Sequence, residues 1–135
     1  MQPTLVDSNV LIDVISGDAR WEGWSTRSLA DVALEGPLAI NAVVYAEVSI
    51  GFARVEDCES ALDQLHLSRR QIPWPACFLA GKAFLEYRRR GGARRSPLPD
   101  FFIGAHAAIE GMRLLTRDPT RYHAYFPRLE LICPS

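Results

Sequence analysis

Apolar runs of only three to five residues recur along this chain, separated by longer stretches with helical spacing. Thr4–Asp7, Leu38–Ile40, a short piece near Gln71-Ile72, Arg113–Thr116 and Leu129–Ile132 read as strands. Between them the pattern predicts helices. One runs from an Asn9 N-cap to Ile15, stopped by Gly17, and another from Trp21 to Leu34. A third follows an Asn41 cap as far as Phe52, and a fourth covers Glu56 to Leu67. A long helix starts near Pro75 and ends at Gly91-Gly92, and a last one spans Asp100 to Gly111. Short strands alternating with helices predict an α/β fold: a small parallel β-sheet flanked by helices on both faces. Such a sheet is small, so the helices must supply most of the core.

Four acids stand where a purely structural role explains them poorly. Asp7 closes the first strand, and Asp118 follows Leu114-Leu115-Thr116-Arg117. Glu47 interrupts the apolar stretch Val43-Val44-Tyr45-Ala46-Glu47-Val48, and Asp100 opens the run Phe101-Phe102-Ile103. Acids at the carboxyl ends of strands lie where α/β proteins place their sites. If the four converge, they raise each other's pKa values unless a divalent cation neutralises them. The pattern therefore predicts a Mg2+ (or Mn2+) site and phosphoryl chemistry. Each acid also has a plainer reading. Asp7 and Asp100 suit helix N-caps, and Asp118 before Pro119 suits a turn. Glu47 is the hardest to explain that way, because a charge on an apolar helix is expensive unless paired or metal-bound.

The 135 residues suit a single domain, 1–135, with 48% hydrophobic and 23% charged residues, which excludes a disordered chain. No signal peptide and no apolar run near the roughly 20 residues of a membrane span is visible, so a cytoplasmic protein without membrane contact is expected. Cys58, Cys77 and Cys133 are odd in number and widely spaced, which argues against a disulfide framework or a zinc site. Charge is lopsided. Residues 1–68 carry eleven acids against three arginines, and residues 69–135 carry twelve basic residues against five acids. That asymmetry suits a surface facing a polyanion, or two halves that neutralise each other.

Four segments together resemble the PIN-domain ribonucleases, and especially the VapC-type toxins of bacterial toxin–antitoxin pairs. They are Val6-Asp7-Ser8-Asn9-Val10-Leu11-Ile12, Asn41-Ala42-Val43-Val44-Tyr45-Ala46-Glu47, Ser96-Pro97-Leu98-Pro99-Asp100-Phe101-Phe102-Ile103-Gly104-Ala105-His106-Ala107, and Leu115-Thr116-Arg117-Asp118. The resemblance covers nearly the whole chain. It implies a metal-dependent endoribonuclease with Asp7, Glu47, Asp100 and Asp118 as its catalytic acids, and Asp7, Asp100 and Asp118 as metal ligands. It places Asn9 and Thr116 beside them as supporting polar residues. It also implies an RNA substrate, a cognate protein antitoxin and a homodimer. The stripe Val55, Cys58, Leu62 and Leu65 offers apolar surface for the dimer.

Mg2+ prefers oxygen ligands and keeps several waters, so one or two direct carboxylates suffice. His106 lies six positions past Asp100 on the same predicted helix, off that residue's face, and reads as structural. Asp13 reads as a support or salt-bridge partner, not a ligand. Five arginines fill Arg88-Arg89-Arg90-Gly91-Gly92-Ala93-Arg94-Arg95. The first three suit a helix C-terminus. Arg94 and Arg95, on the loop before Asp100, are expected to hold RNA phosphates.

Other classes fit less well. A haloacid-dehalogenase-type phosphatase expects a second Asp where Asn9 stands. A receiver domain needs a lysine at a late strand end, and the only lysine, Lys82, is mid-helix. No G-x-G-x-x-G follows the first strand. The alternative that remains is a non-catalytic PIN-like module that binds RNA or a protein.

Overall fold

The computed structural model describes residues 2–135. Its sheet contains five parallel strands: β1 (Thr4–Val6), β2 (Leu38–Ile40), β3 (Ser68–Arg69), β4 (Arg113–Leu115) and β5 (Leu131–Ile132). Their spatial order is β3-β2-β1-β4-β5. The helices are α1 (Ser8–Ser16), α2 (Glu22–Glu35), α3 (Ala42–Ser49), α4 (Val55–Asp63), α5 (Trp74–Arg89), α6 (Pro99–Glu110) and α7 (Thr120–Tyr125). This is the expected α/β fold, a small parallel sheet with helices.

The chain steps outward from β1 to β2 and β3, then crosses back to the far side of β1 for β4 and β5. Right-handed crossovers in opposite directions lay helices on opposite faces. The reversal opens a crevice at the carboxyl ends of β1 and β4. Val6 pairs with Leu115, and the Asp7 N–H donates to the Leu115 carbonyl at 2.9 Å. Asp7 and Thr116 therefore leave the sheet side by side at that crevice.

The core joins Leu5, Val6, Ile40, Leu114 and Leu115 of the sheet to Val10, Leu11, Val44, Phe101 and Ile103 of the helices, all essentially buried. Each such side chain contributes roughly 1.5–3 kcal/mol relative to exposure. Phe101 also meets Tyr87, Phe84 and Tyr125 edge to face, which ties α5 and α7 to α6. Gly104 lets α7 approach. A Cβ there would lie 2.5 Å from the Phe126 ring and 3.1 Å from Tyr122.

Several local expectations are corrected. Asp7, not Asn9, caps α1, because its carboxylate already accepts the Ser8 N–H and Asn9 falls inside the first turn. Asn41 caps α3 as expected, through the Val44 N–H. The third strand lies at Ser68–Arg69 rather than Gln71-Ile72. Both its residues are exposed at the sheet edge, so no apolar pattern marked it. Helix α4 stops at Asp63, short of Leu67. Helix α7 was not anticipated, since six residues show no periodicity. The proposed dimer stripe is largely internal. Cys58 and Leu62 belong to the core and Leu65 packs against it, leaving only Val55 exposed. Apolar surface lies instead on α5, where Trp74 is 87% and Phe78 69% exposed.

Candidate active site

Asp7 sits at the floor of the crevice, 4% exposed. Its Oδ1 accepts the Ser8 N–H at 2.8 Å. Its Oδ2 accepts two hydroxyl donors at 2.9 Å, Thr116 Oγ1 and Tyr122 OH. The Thr116 hydroxyl has one proton to give, so towards its other neighbours it is an acceptor. It receives the Asp118 N–H at 3.1 Å and the Asn9 amide at 3.2 Å. Asn9 Oδ1 in turn takes the Arg117 N–H at 3.3 Å. Thr116, at the end of the fourth strand, and Asn9, on the first helix, thus brace Asp7 and the turn that carries Asp118.

Asp100 lies in the first turn of α6. It does not cap that helix, whose N-cap Leu98 has no side-chain bond. Instead its Oδ1 is 3.5 Å from the Tyr122 hydroxyl, and its Oδ2 receives Arg121 Nη1 at 3.1 Å. Tyr122 therefore stands between Asp7 and Asp100. Glu47, projecting from α3, accepts the Ser8 hydroxyl at 2.8 Å. Asp118 is exposed, and its Oδ1 accepts the Thr120 N–H at 3.4 Å.

The electrostatics bind the four acids into one field. Burial raises Asp7 from 3.8 to about 6, against the hydrogen bond from Thr116 and with a push from Asp100. Burial also raises Asp100, opposed by Arg121 and reinforced by Asp118. Glu47 is raised by burial, opposed by the Ser8 hydroxyl and reinforced by Asp100. Asp100 is the common neighbour. A cation placed among these groups would oppose each shift.

The donor set suits Mg2+ or Mn2+ and not a closed cage. Among the described residues no three acid, histidine or cysteine side chains close round a single point. An ion that keeps most of its waters needs only one or two direct carboxylates. The oxygen-only chemistry at Asp7, Asp100 and Asp118 fits it.

Around this centre Asp13, 1% exposed, receives Arg117 Nε and Ser25 Oγ, each at 2.8 Å. It is a buried salt-bridge partner, as expected. His106 is buried away from the acids. Asn41 uses its Oδ1 on Val44, so its amide nitrogen donates to His106 Nδ1 at 3.0 Å. The ring then carries its proton on Nε2, 2.6 Å from Glu110. This buried chain joins the start of α3 to α6, the helices bearing Glu47 and Asp100. Arg94 and Arg95 are exposed before α6, and among the described residues neither side chain makes an ion pair. Arg88 reaches the Arg94 carbonyl, and Arg89 and Arg90 pair with Glu86.

Tyr122, Arg121 and Ser8 were missed by sequence reasoning. Ser8 lay inside a quoted motif without a role. Tyr122 and Arg121 belong to the unanticipated α7, and no pattern in the sequence marks them.

The PIN domain, as a sequence family, matches residues 4–127. The chain belongs to the PIN-domain family. Solved structures of similar fold include VapBC2 from Rickettsia felis bound to a DNA fragment from its promoter. Its matching chain is 21% identical with a TM-score of 0.76, covering 98% of this chain and 99% of that one. VapBC-1 from nontypeable Haemophilus influenzae matches at 16% identity and TM-score 0.73, covering 97% of each chain. A toxin–antitoxin complex from Klebsiella pneumoniae matches at 26% identity and TM-score 0.66, covering 98% of each. No curated protein sequence matches the chain. No helix of this PIN domain, among the described residues, is long and apolar enough to cross a membrane.

Proposed function

We infer that this PIN domain is a Mg2+- or Mn2+-dependent endoribonuclease and the toxin of a VapBC-type toxin–antitoxin pair. One observation carries the reading. Buried Asp7 and half-buried Asp100 meet at one tyrosine hydroxyl, with Glu47 and Asp118 in their field. Four acids linked through one another's charge are hard to explain in a pure binding module. They are what a phosphodiester-cutting site needs once a cation is present.

Asp7, Asp100 and Asp118 would hold the cation, one or two of them directly and the rest through its waters. Bound there, it would offset phosphate charge and make a water easier to deprotonate. The chain's own groups do the rest. Thr116, Asn9 and the Ser8 N–H fix the Asp7 carboxylate, and the Thr116 hydroxyl also receives the Asp118 N–H. Glu47, partly buried and with its ordinary pKa raised, would hold or accept a proton during the reaction. Arg94 and Arg95 supply phosphate contacts from the neighbouring loop.

An apolar groove of about 610 Å3 runs from Ser8 and Glu47 past Ile12, Ile15, Ile50 and Phe52. It suits the apolar face of an antitoxin segment, whose basic side chain would end at the acids. The matching toxin–antitoxin complexes support a partner of that kind. The homodimer is proposed through the exposed Trp74–Phe78 face of α5. Sedimentation showing only a 15.1 kDa species at micromolar concentration would exclude it.

The test of the enzyme is RNA cleavage with Mg2+ or Mn2+. Wild type should cut single-stranded RNA, stop in EDTA, and lose activity in Asp7→Asn with the fold retained. Undiminished cutting in EDTA or in that variant would remove the mechanism.

A further inference from the structure

A cavity of about 430 Å3 opens beside the acids, lined by Asp100, Asp118, Arg121, Ala124, Tyr125 and Tyr87. Its size falls in the usual range for small ligands, roughly 300–1,000 Å3. Because Asp100 and Asp118 form one wall, whatever fills it lies next to the reacting bond. Arg121 is the basic side chain of that lining. One guanidinium nitrogen rests on Asp100, and among the described residues its remaining N–H groups have no protein acceptor. A pair as open as this one, 39% and 31% exposed, adds little to stability. Folding alone therefore gives no strong reason for it.

The far rim joins the arginine-rich segment. The Arg90 guanidinium lies 4.8 Å above the Tyr125 ring and reaches the Ala124 carbonyl at 3.4 Å. The Arg94 N–H lies 3.5 Å from the Tyr87 hydroxyl. The cavity is thus the ground between the carboxylates and the arginines. Arg121 stands on that ground, beside Asp100.

We propose that this cavity is the subsite for the ribonucleotide adjoining the cut phosphodiester, and that Arg121 holds that nucleotide's phosphate. The proposal rests on the ribonuclease reading. A guanidinium offers a planar fork, so it can keep one N–H on Asp100 while the others meet phosphate oxygens. The carboxylates would repel the strand at this point, and Arg121 would offset that repulsion.

The experiment uses the full chain carrying Asp7→Asn, so that bound RNA is not cut. A short labelled single-stranded RNA of mixed sequence is titrated in Mg2+ by fluorescence anisotropy at several salt concentrations. Arg121→Gln should weaken binding and lower the log–log salt slope by roughly 0.7, the value for one phosphate contact on a single strand. Ala124→Trp, at an exposed position, should fill the cavity from its rim and weaken binding with every arginine intact. In the Asp7-containing protein, neither change should weaken calorimetric Mn2+ binding. Wild-type RNA affinity in both variants overturns the proposal. So does a loss in Arg121→Gln that is matched by an equal loss of Mn2+ affinity, since Arg121 would then act only through Asp100. RNA bound at this cavity but never cut by wild type would sink the ribonuclease reading, and with it a subsite for a cut phosphodiester, and leave only an RNA-binding cavity. Normal cutting with unaffected binding in both variants would sink the subsite alone.

Discussion

The Tyr122 hydroxyl lies 2.9 Å from Oδ2 of Asp7, joining a helix near the end of the chain to the first strand. It is also the group that separates Asp7 from Asp100. Tyr122→Phe keeps the ring and deletes the donor. Asp7 then loses one of the hydrogen bonds that favour its charged form, so its pKa should rise further. The expected loss of stability is roughly 1–3 kcal/mol, the usual penalty for under-satisfying a buried polar group. Urea unfolding and a carboxyl NMR titration read both effects. A variant matching wild type in each would make Tyr122 a packing residue only.

Asp7 makes the metal-free protein less stable as pH rises. Its folded pKa of about 6 lies above the unfolded 3.8, so the folded state holds the proton more tightly. That stability is complete below the unfolded value and is lost as pH climbs to the folded one. The difference is of order 3 kcal/mol between about pH 4 and 6. Glu47 and Asp100 are raised too and act in the same direction. In EDTA the urea midpoint should fall across this window. Asp7→Asn should flatten the fall and raise stability at pH 7. A midpoint that climbs with pH would contradict the raised values.

Gly104→Ala forces a Cβ to 2.5 Å from the Phe126 ring, which is itself buried. Overpacking of this kind costs roughly 1–3 kcal/mol, more than the roughly 1 kcal/mol of helix propensity that alanine adds. Phe126 follows directly on α7, so Tyr122 should shift with it and cleavage should fall along with thermal stability. An alanine variant more stable than wild type would show that α7 has slack.

Replacing Arg94 and Arg95 together by alanine should weaken RNA binding across sequences. The salt slope should drop by roughly 0.7 for each phosphate that the loop no longer holds. Phosphate contacts position a strand without reading it, so cleavage-site preference at saturating RNA should survive. Unaltered affinity and slope would assign these arginines to the fold or to the antitoxin.

Much of the frame was legible because it is locally encoded. Gly17 and Gly111 end α1 and α6 in the left-handed conformation, and Asn41 caps α3 through its own side chain. The short apolar runs marked four of the five strands, and the acids announced themselves by standing where burial is expensive. Helix α7 and strand β3 were not legible. One is six residues long and the other exposed, and neither leaves a periodic trace. The Val55, Cys58, Leu62 and Leu65 stripe could not declare whether it faced a partner or its own core, because both surfaces ask for the same residues.

The order of the strands lay beyond the sequence, and it decided the site. Asp7 and Thr116 are neighbours because β4 pairs with β1 across a reversal of the sheet, in a register that sets Val6 against Leu115. The same pairing returns the chain so that α7 can lower Tyr122 between Asp7 and Asp100 and set Arg121 on Asp100. The amino-acid sequence determined which residues carry charge and where most helices and strands begin. Which distant residues meet depends on how those elements stack, and periodicity holds no record of that.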